Sequence, residues 1–305
     1  MGNVCVIGGT RFFGKFLVRE LMAHGHHVTV LTRGRTGDPF GETVDRLTAD
    51  ANDVDQLGAA VAGREFDTVI HQMCYSPVAA LAAAKAFDGR VGRLVMTSTI
   101  EVYRDQPGVS AFAAEAELDP SNLGYDVSLP WHEPNFLDSM YAEGKRQAES
   151  ALAQAASFPV AFVRVGHVLA EGEFTGRLGF HVDRVLDGGR IAAHRSPGRS
   201  SFGYAREIAA FLAWMGGVSL TGPVNACSPD GVSVRDLVSV IEDVTGRSAV
   251  FEEVDDVAGD ADLSPFSYPA DFGMSVGYEF SPVSGWLPEV VRREIALRTK
   301  WPRNR

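Results

Sequence analysis

Two stretches carry side chains whose types and spacing could do chemistry. Tyr141-Ala142-Glu143-Gly144-Lys145 sets a phenol and an ammonium four residues apart, which is one turn along a single helix face. Val4-Cys5-Val6-Ile7-Gly8-Gly9-Thr10-Arg11-Phe12-Phe13-Gly14 is an apolar run that breaks into glycines. It reads on into an apolar-periodic segment with Phe16, Leu17, Leu21 and Met22 on one stripe. Strand, glycine turn and helix together are the context of a dinucleotide-binding fingerprint. Gly8 permits the tight turn, Gly14 lets helix and strand approach closely, and the helix N-terminus offers backbone N–H groups to a pyrophosphate. Such turns also join strands and helices in folds that bind no nucleotide, and an isolated Tyr-x-x-x-Lys also arises as an incidental surface pair. Position sets these two apart. The turn follows the first strand of the chain, and the tyrosine helix follows, by a long loop, a strand ending in the hydroxyls of Thr97, Ser98 and Thr99.

The elements that must position these groups alternate in type. His27–Thr32, Arg46–Asp50, Phe66–His71 and Arg93–Ser98 read as strands, with helices over Asp53–Val61 and Pro77–Phe87 between them. That rhythm predicts βαβ units in an α/β fold, a doubly wound parallel sheet of Rossmann type. Residues 104 to 139, rich in Pro, Gly, Asp and Ser, break the rhythm as a long loop of the functional kind. A helix over Tyr141–Ala155 and a strand over Val160–Val165 resume it, and further helices are expected at Ile208–Met215, Val234–Thr245 and Leu287–Lys300. The expected domains are a dinucleotide-binding Rossmann domain over 1–166 plus about 202–228, and a smaller C-terminal substrate lobe over about 167–201 plus 229–305.

Composition bounds the class. With 305 residues, 45% hydrophobic and 22% charged, the chain is an ordinary globular protein with a sizeable core. A net charge of −11 argues against non-specific nucleic-acid or anionic-membrane binding, because either needs a basic face. Cys5, Cys74 and Cys227 are far apart and odd in number, which reads as buried thiols in a reducing compartment with no metal-ligand spacing. No metal site is expected. Neither a signal-peptide pattern nor an apolar run of membrane-spanning length is seen, so the expected location is cytoplasmic.

From residue 3 to about 298 the chain resembles the short-chain dehydrogenase/reductase superfamily, in the extended form shared with NAD-dependent epimerases and dehydratases. The resemblance rests on Gly8–Gly14, on Ser98-Thr99-Ile100-Glu101-Val102-Tyr103, on Tyr141 with Lys145, on Val163-Arg164-Val165-Gly166 and on Phe280-Ser281-Pro282. It implies that Tyr141 is the acid/base, with Lys145 and an oxidised nicotinamide favouring the phenolate of a group whose ordinary pKa is about 10. It implies that Thr99 hydrogen-bonds the substrate oxygen where charge develops. Gly8, Gly9, Thr10, Arg11, Phe12, Phe13 and Gly14 would cradle the cofactor's phosphates, Asp50 and Ala51 would lie at the adenine, and Lys145 would also touch the nicotinamide ribose. A homodimer through a helix bundle is a further implication.

Four departures shape the expected function. Arg11 replaces the family's middle glycine, and Thr32 followed by Arg33 replaces the acid at the end of strand two. An acid there would bind a ribose 2′-hydroxyl, whereas arginine suits a 2′-phosphate, so NADP is expected over NAD. Arg33 and Arg35 also suit a solvated turn. Ile100 stands where dehydratases place an acid. Ser200, next to Arg199, falls where sugar-nucleotide enzymes carry a diphosphate-binding arginine. The expectation is an NADP(H)-dependent ketoreductase acting on a small molecule, sugar-like or polycyclic. The alternatives are an NAD-dependent sugar-nucleotide epimerase and a non-catalytic nucleotide- or RNA-binding member of the family. Gly144 costs a helix about 1 kcal/mol against alanine, with no reason visible in the sequence. His71 reads as packed at the end of its strand, and Tyr125, Trp131 and His132 fit either a substrate pocket or the loop's own packing.

Overall fold

Near-continuous runs of Val, Ile, Leu and Met make the central strands, because a parallel sheet is buried on both faces. In the computed structural model, which describes residues 1–110, 113–195, 198–254 and 277–300, the chain order begins with β1 (Asn3–Ile7), α1 (Phe13–Ala23), β2 (His27–Thr32) and β3 (Asp45–Thr48). Next come α2 (Val54–Ala60), β4 (Phe66–His71), α3 (Pro77–Ala86), β5 (Val91–Thr99), α4 (Pro134–Ser139), α5 (Tyr141–Ala155) and β6 (Val160–Val165). The chain continues through β7 (His167–Leu169), α6 (Arg177–Asp187), β8 (Arg190–His194), β9 (Ser200–Tyr204), α7 (Ala205–Gly217) and β10 (Gly222–Ala226). It ends with β11 (Gly231–Val232), α8 (Val234–Thr245), β12 (Val250–Val254) and α9 (Val283–Lys300).

The chain divides into two compact units. The first holds Met1–Val109, Ala114–Val165 and Ile208–Ala226, and the second Ser110–Ala113, Gly166–Glu207 and Cys227–Arg305. In the first, seven strands form one all-parallel sheet in the order β10-β6-β5-β4-β1-β2-β3, a doubly wound Rossmann arrangement with its order reversing beside β1. Alanines of α3 and α5 pack with Ile7, Val69, Leu94 and Met96 on one face of the sheet. Small residues let those two helices lie close, and Ser76 caps α3 with its side chain on the Ala79 N–H.

The second unit has a core of its own. Leu178, Val182 and Val185 of α6, Leu237 and Ile241 of α8, and Trp286, Val290 and Val291 of α9 close it. Its strands are short: β11, β9 and β7 form one small sheet, and β12 and β8 another. Two sequence expectations shift here. Strand three runs over Asp45–Thr48, which leaves Asp50 in the following turn, and the buried stripe of α1 is Gly14, Leu17, Val18 and Leu21. Phe16 and Met22 flank that stripe half-buried. Cys5, Cys74 and Cys227 are all buried. Among the described residues no helix is long and apolar enough to cross a membrane, and no His, Cys, Asp and Glu group could hold a metal.

Candidate active site

The site is built at the carboxyl ends of β1, β4 and β5 and on the first two turns of α5. After Ile7 the chain turns through Gly8 (φ +101°) and Gly9 (φ +85°), conformations that favour glycine. The Gly8 N–H donates to the Leu31 carbonyl at 2.9 Å, which ties the turn to β2. A Cβ on Gly14 would stand 2.7 Å from Gly9 Cα and 2.5 Å from Gln72 Oε1. The close approach read into Gly14 is therefore to the turn itself and to the residue after β4. Thr10, Phe12 and Phe13 are half-buried and Arg11 is exposed. Phe12 holds φ at +46°, an unfavourable value for a residue with a side chain, and its ring meets Phe13 edge-on at 5.3 Å. No side chain caps α1, and its first turn holds no acid.

At β2 the acid of the family pattern is replaced by Thr32, whose Oγ1 accepts from the Gly34 N–H at 3.2 Å. Arg33 and Arg35 follow, both exposed. Asp50 spends one carboxylate oxygen on its own turn, accepting from the Asn52 backbone and side-chain nitrogens at 3.0 Å each, and Ala51 beside it is buried.

Lys145 is 2% exposed, and its Nζ donates to the Thr97 carbonyl at 2.8 Å while lying 4.1 Å from the centre of the Tyr75 ring. Burial pushes its pKa down to about 8, against the opposing pull of neighbouring negative charge. Tyr141 opens α5 at 38% exposure, with its ring 6.0 Å from that of Tyr75. The Tyr75 ring thus touches both members of the pair. Thr99 is the buried last residue of β5 and caps a short 3-10 turn over Ile100–Tyr103. Its Oγ1 accepts from the Glu101 N–H at 3.3 Å, so its own O–H is the donor left for a substrate oxygen.

Helix α5 is held from outside by the long loop and by the 3-10 turn that precedes it. The Asp126 N–H donates to Gln147 Oε1 at 2.8 Å, Ser150 Oγ donates to the Leu123 carbonyl at 2.5 Å, and Arg146 Nε donates to the Val102 carbonyl at 3.0 Å. Trp131 serves the loop's own packing: its Nε1 donates to the Asp126 carbonyl at 2.7 Å and its ring meets Phe136 edge-on. Tyr125 and His132 are exposed. Gly144 now has its reason, because a methyl there would strike the Tyr75 carbonyl oxygen and crowd the Trp131 ring.

Tyr75 and Gln72 belong to this site and are not among the residues expected from the sequence. Both lie just past a strand end at the sheet's carboxyl edge, the position that should have singled them out. Gln72 is buried against the glycine turn, and its Nε2 has no hydrogen-bond partner among the described residues. An uncapped helix start, two glycines in the left-handed region and an orphaned amide fit a phosphate-bearing dinucleotide. His71 lies fully buried beside this group, neutral, with burial and the Lys145 charge pushing its pKa down to about 3.

Among known proteins, 80 residues of the chain are 33% identical to chloroplast stem-loop binding protein of 41 kDa b from Arabidopsis thaliana. A stretch of 146 residues is 28% identical to 2′-dehydrokanamycin reductase from Streptomyces kanamyceticus. These alignments cover 22% and 48% of this chain, but only 21% and 40% of the two relatives' own lengths. UDP-glucose 4-epimerase from Thermus thermophilus, solved with NAD, shares the fold with a TM-score of 0.64 at 20% identity, over 96% of this chain and 99% of that one. The family model for NAD dependent epimerases and dehydratases matches residues 4–256. A seven-stranded parallel sheet, a glycine turn at its first strand and that match across most of the sequence lead to one assignment: the chain belongs to the NAD dependent epimerase/dehydratase family, a family of enzymes.

Proposed function

We propose that this protein is an NADP(H)-dependent ketoreductase that interconverts a carbonyl and a hydroxyl on a sugar-like or polycyclic small molecule. The observation that carries the reading is the arrangement on α5 and β5, with the Tyr141 phenol on the exposed end of the helix and a buried Lys145 ammonium one turn behind it. A nicotinamide dinucleotide, when bound, supplies the hydride that reaches the carbonyl carbon. Tyr141 gives its phenolic proton to the carbonyl oxygen, and Thr99 donates a hydrogen bond to that oxygen as its charge grows. Lys145 favours the phenolate left behind, because an ammonium nearby lowers a phenol's pKa. In the oxidative direction the same groups work in reverse, with Tyr141 taking the alcohol's proton.

Gly8, Gly9 and the start of α1 would hold the pyrophosphate, Asp50 and Ala51 the adenine, and Lys145 the ribose next to the nicotinamide. NADP over NAD is supported by Thr32 at the end of β2, by the exposed Arg33 after it and by exposed Arg11 in the turn. The second unit would supply the substrate lobe. The Streptomyces kanamyceticus relative, itself a reductase, supports the reaction type.

The epimerase alternative draws on the fold shared with UDP-glucose 4-epimerase. It is weakened by the arginine expected to meet a nucleotide diphosphate. Ser200 is buried, and neighbouring Arg199 donates to the Gly231 carbonyl at 2.8 Å and pairs with Asp236 at 3.4 Å. The RNA-binding alternative gains from the Arabidopsis relative, but a net charge of −11 and the complete Thr99, Tyr141 and Lys145 set weigh against it.

Cofactor titration tests the assignment. A charge-assisted contact to the 2′-phosphate is worth about 1.5–3 kcal/mol, so NADPH should bind at least about tenfold more tightly than NADH. Arg33→Ala should erode that difference. Equal affinities, or tighter binding of NADH, contradict it.

A further inference from the structure

The stripe of α5 that carries Tyr141 and Lys145 carries a third ionisable group one turn further on. Glu149 is 0% exposed, and its Oε1 accepts from Ser98 Oγ at 2.5 Å. Its two oxygens also accept from Arg164, from Nε at 3.1 and 3.2 Å and from Nη2 at 2.6 Å. Arg164 is 0% exposed as well, on β6, paired in register with Ser98 of β5. Its other donors are all used. Nη1 reaches the Tyr103 hydroxyl at 2.8 Å and the Glu115 carbonyl at 3.5 Å, and Nη2 reaches the Leu118 carbonyl at 2.8 Å. The Tyr103 hydroxyl donates in turn to Asn225 Oδ1 at 2.7 Å, and the Asn225 N–H donates to Glu115 Oε1 at 2.8 Å.

A buried ion pair is a poor way to stabilise a fold, since well-packed apolar residues of similar volume often do as well or better. What this one does is geometric. Ser98 immediately precedes Thr99, and Glu149 is four residues past Lys145, so the bond between them sets the register of α5 against β5. Arg164 locks that bond to β6 and, through Tyr103, Glu115 and Leu118, to the loop that wraps α5. We propose that Glu149 and Arg164 are positioning residues: they hold Tyr141 and Lys145 in register with Thr99. The proposal rests on the catalytic reading of Tyr141 and Lys145 given above.

The surroundings of Lys145 bear on its charge. Around it are His71 of β4 and Cys74 and Tyr75 just after that strand, with the Thr97 carbonyl from β5 and Glu149 one turn further along its own helix. Burial keeps His71 neutral and pushes the Cys74 thiol up to about 12, so both are uncharged near neutral pH. Burial also drives Lys145 toward its neutral form, opposed by Cys74 and then by Glu149, of which Cys74 is uncharged near neutral pH.

The chain has four lysines, Lys15, Lys85, Lys145 and Lys300, so lysine labelled with ¹³C at Cε gives a spectrum simple enough to follow each side chain through pH. In Glu149→Gln the Lys145 titration should move down by about one pH unit or more, and the alkaline limb of kcat should move with it. In the same variant kcat should fall by about tenfold or more, with KM for the carbonyl substrate changed by less than about threefold. Ser98→Ala leaves the ion pair in place and guards against a variant that fails to fold. It should lower kcat severalfold in a protein that still folds and keeps its cofactor affinity, and Ser98→Thr should restore part of the loss. A folded Glu149→Gln protein with an unmoved Lys145 titration overturns the proposal, as does full kcat in Ser98→Ala. The Tyr141→Phe variant separates this from the function itself. If that variant keeps its turnover, the catalytic reading falls, whereas an unmoved Lys145 beside an inactive Tyr141→Phe counts against the positioning role alone.

Discussion

Tyr141 and Lys145 are four residues apart in sequence and in opposite environments, the phenol half in solvent and the ammonium almost fully enclosed. That asymmetry suits a group that must meet a substrate, backed by one that must hold a charge beside it. Tyr141→Phe keeps the ring packed near Tyr75 and removes the proton. Steady-state kinetics should show a loss of about a hundred- to ten-thousandfold in kcat, with cofactor affinity little changed. Lys145→Ala should damage both. Near-normal turnover in Tyr141→Phe would assign the proton transfer elsewhere. This pair was legible in the sequence because helical spacing alone puts the two side chains on one face. Tyr75 and Gln72 were not, because they occupy a short connection with no periodicity, and only the folded sheet brings them to the same edge.

The helix that bears this pair is fixed as much by what it excludes as by what it bonds. Alanine at position 144 would improve the intrinsic stability of α5 by about 1 kcal/mol. It would also drive a methyl into a backbone carbonyl, which cannot rotate away as a side chain can. Overpacking of this kind costs about 1–3 kcal/mol, so Gly144→Ala should be destabilising overall in urea unfolding. A stabilised variant would show that α5 can move away from Tyr75. Strands β2, β4 and β6 and helices α5 and α8 were readable to the residue, since each is bounded by turn residues and carries an unbroken apolar pattern. The reason for Gly144 was not, because its partner is a carbonyl from a distant stretch of chain. Strands β7, β9 and β11 escaped notice for a related cause: they are two to five residues long and pair only with remote segments.

At the scale of the molecule, each unit buries one histidine whose charged form it rejects. Burial lowers His71 to about 3 in the first unit and His181 to about 4 in the second, both from an ordinary 6.5. The unfolded chain therefore takes up protons that the folded chain refuses. Stability contributed by the neutral rings is complete above pH 6.5 and is lost as pH falls toward 4 for His181 and toward 3 for His71. Each ring should contribute a slope of about 1 kcal/mol per pH unit across its window. Urea unfolding at pH 7 and pH 5 should show that loss, and His71→Leu should reduce it; a pH-independent stability over that range would contradict the burial. Two units with separate cores also explain what the sequence could and could not reveal about function. The first unit carries its motifs near its strand ends, whereas the second unit carries no motif that names a substrate.

The reaction itself gives the most direct test. Purified protein should be supplied with NADPH and a panel of sugar-like and polycyclic ketones, with nicotinamide absorbance and product followed together. A ketoreductase oxidises one NADPH for each alcohol formed, and Tyr141→Phe abolishes both signals. Parallel incubations with sugar nucleotides and no added cofactor provide the contrary case. Isomers appearing there would contradict the ketoreductase reading and make this protein an epimerase.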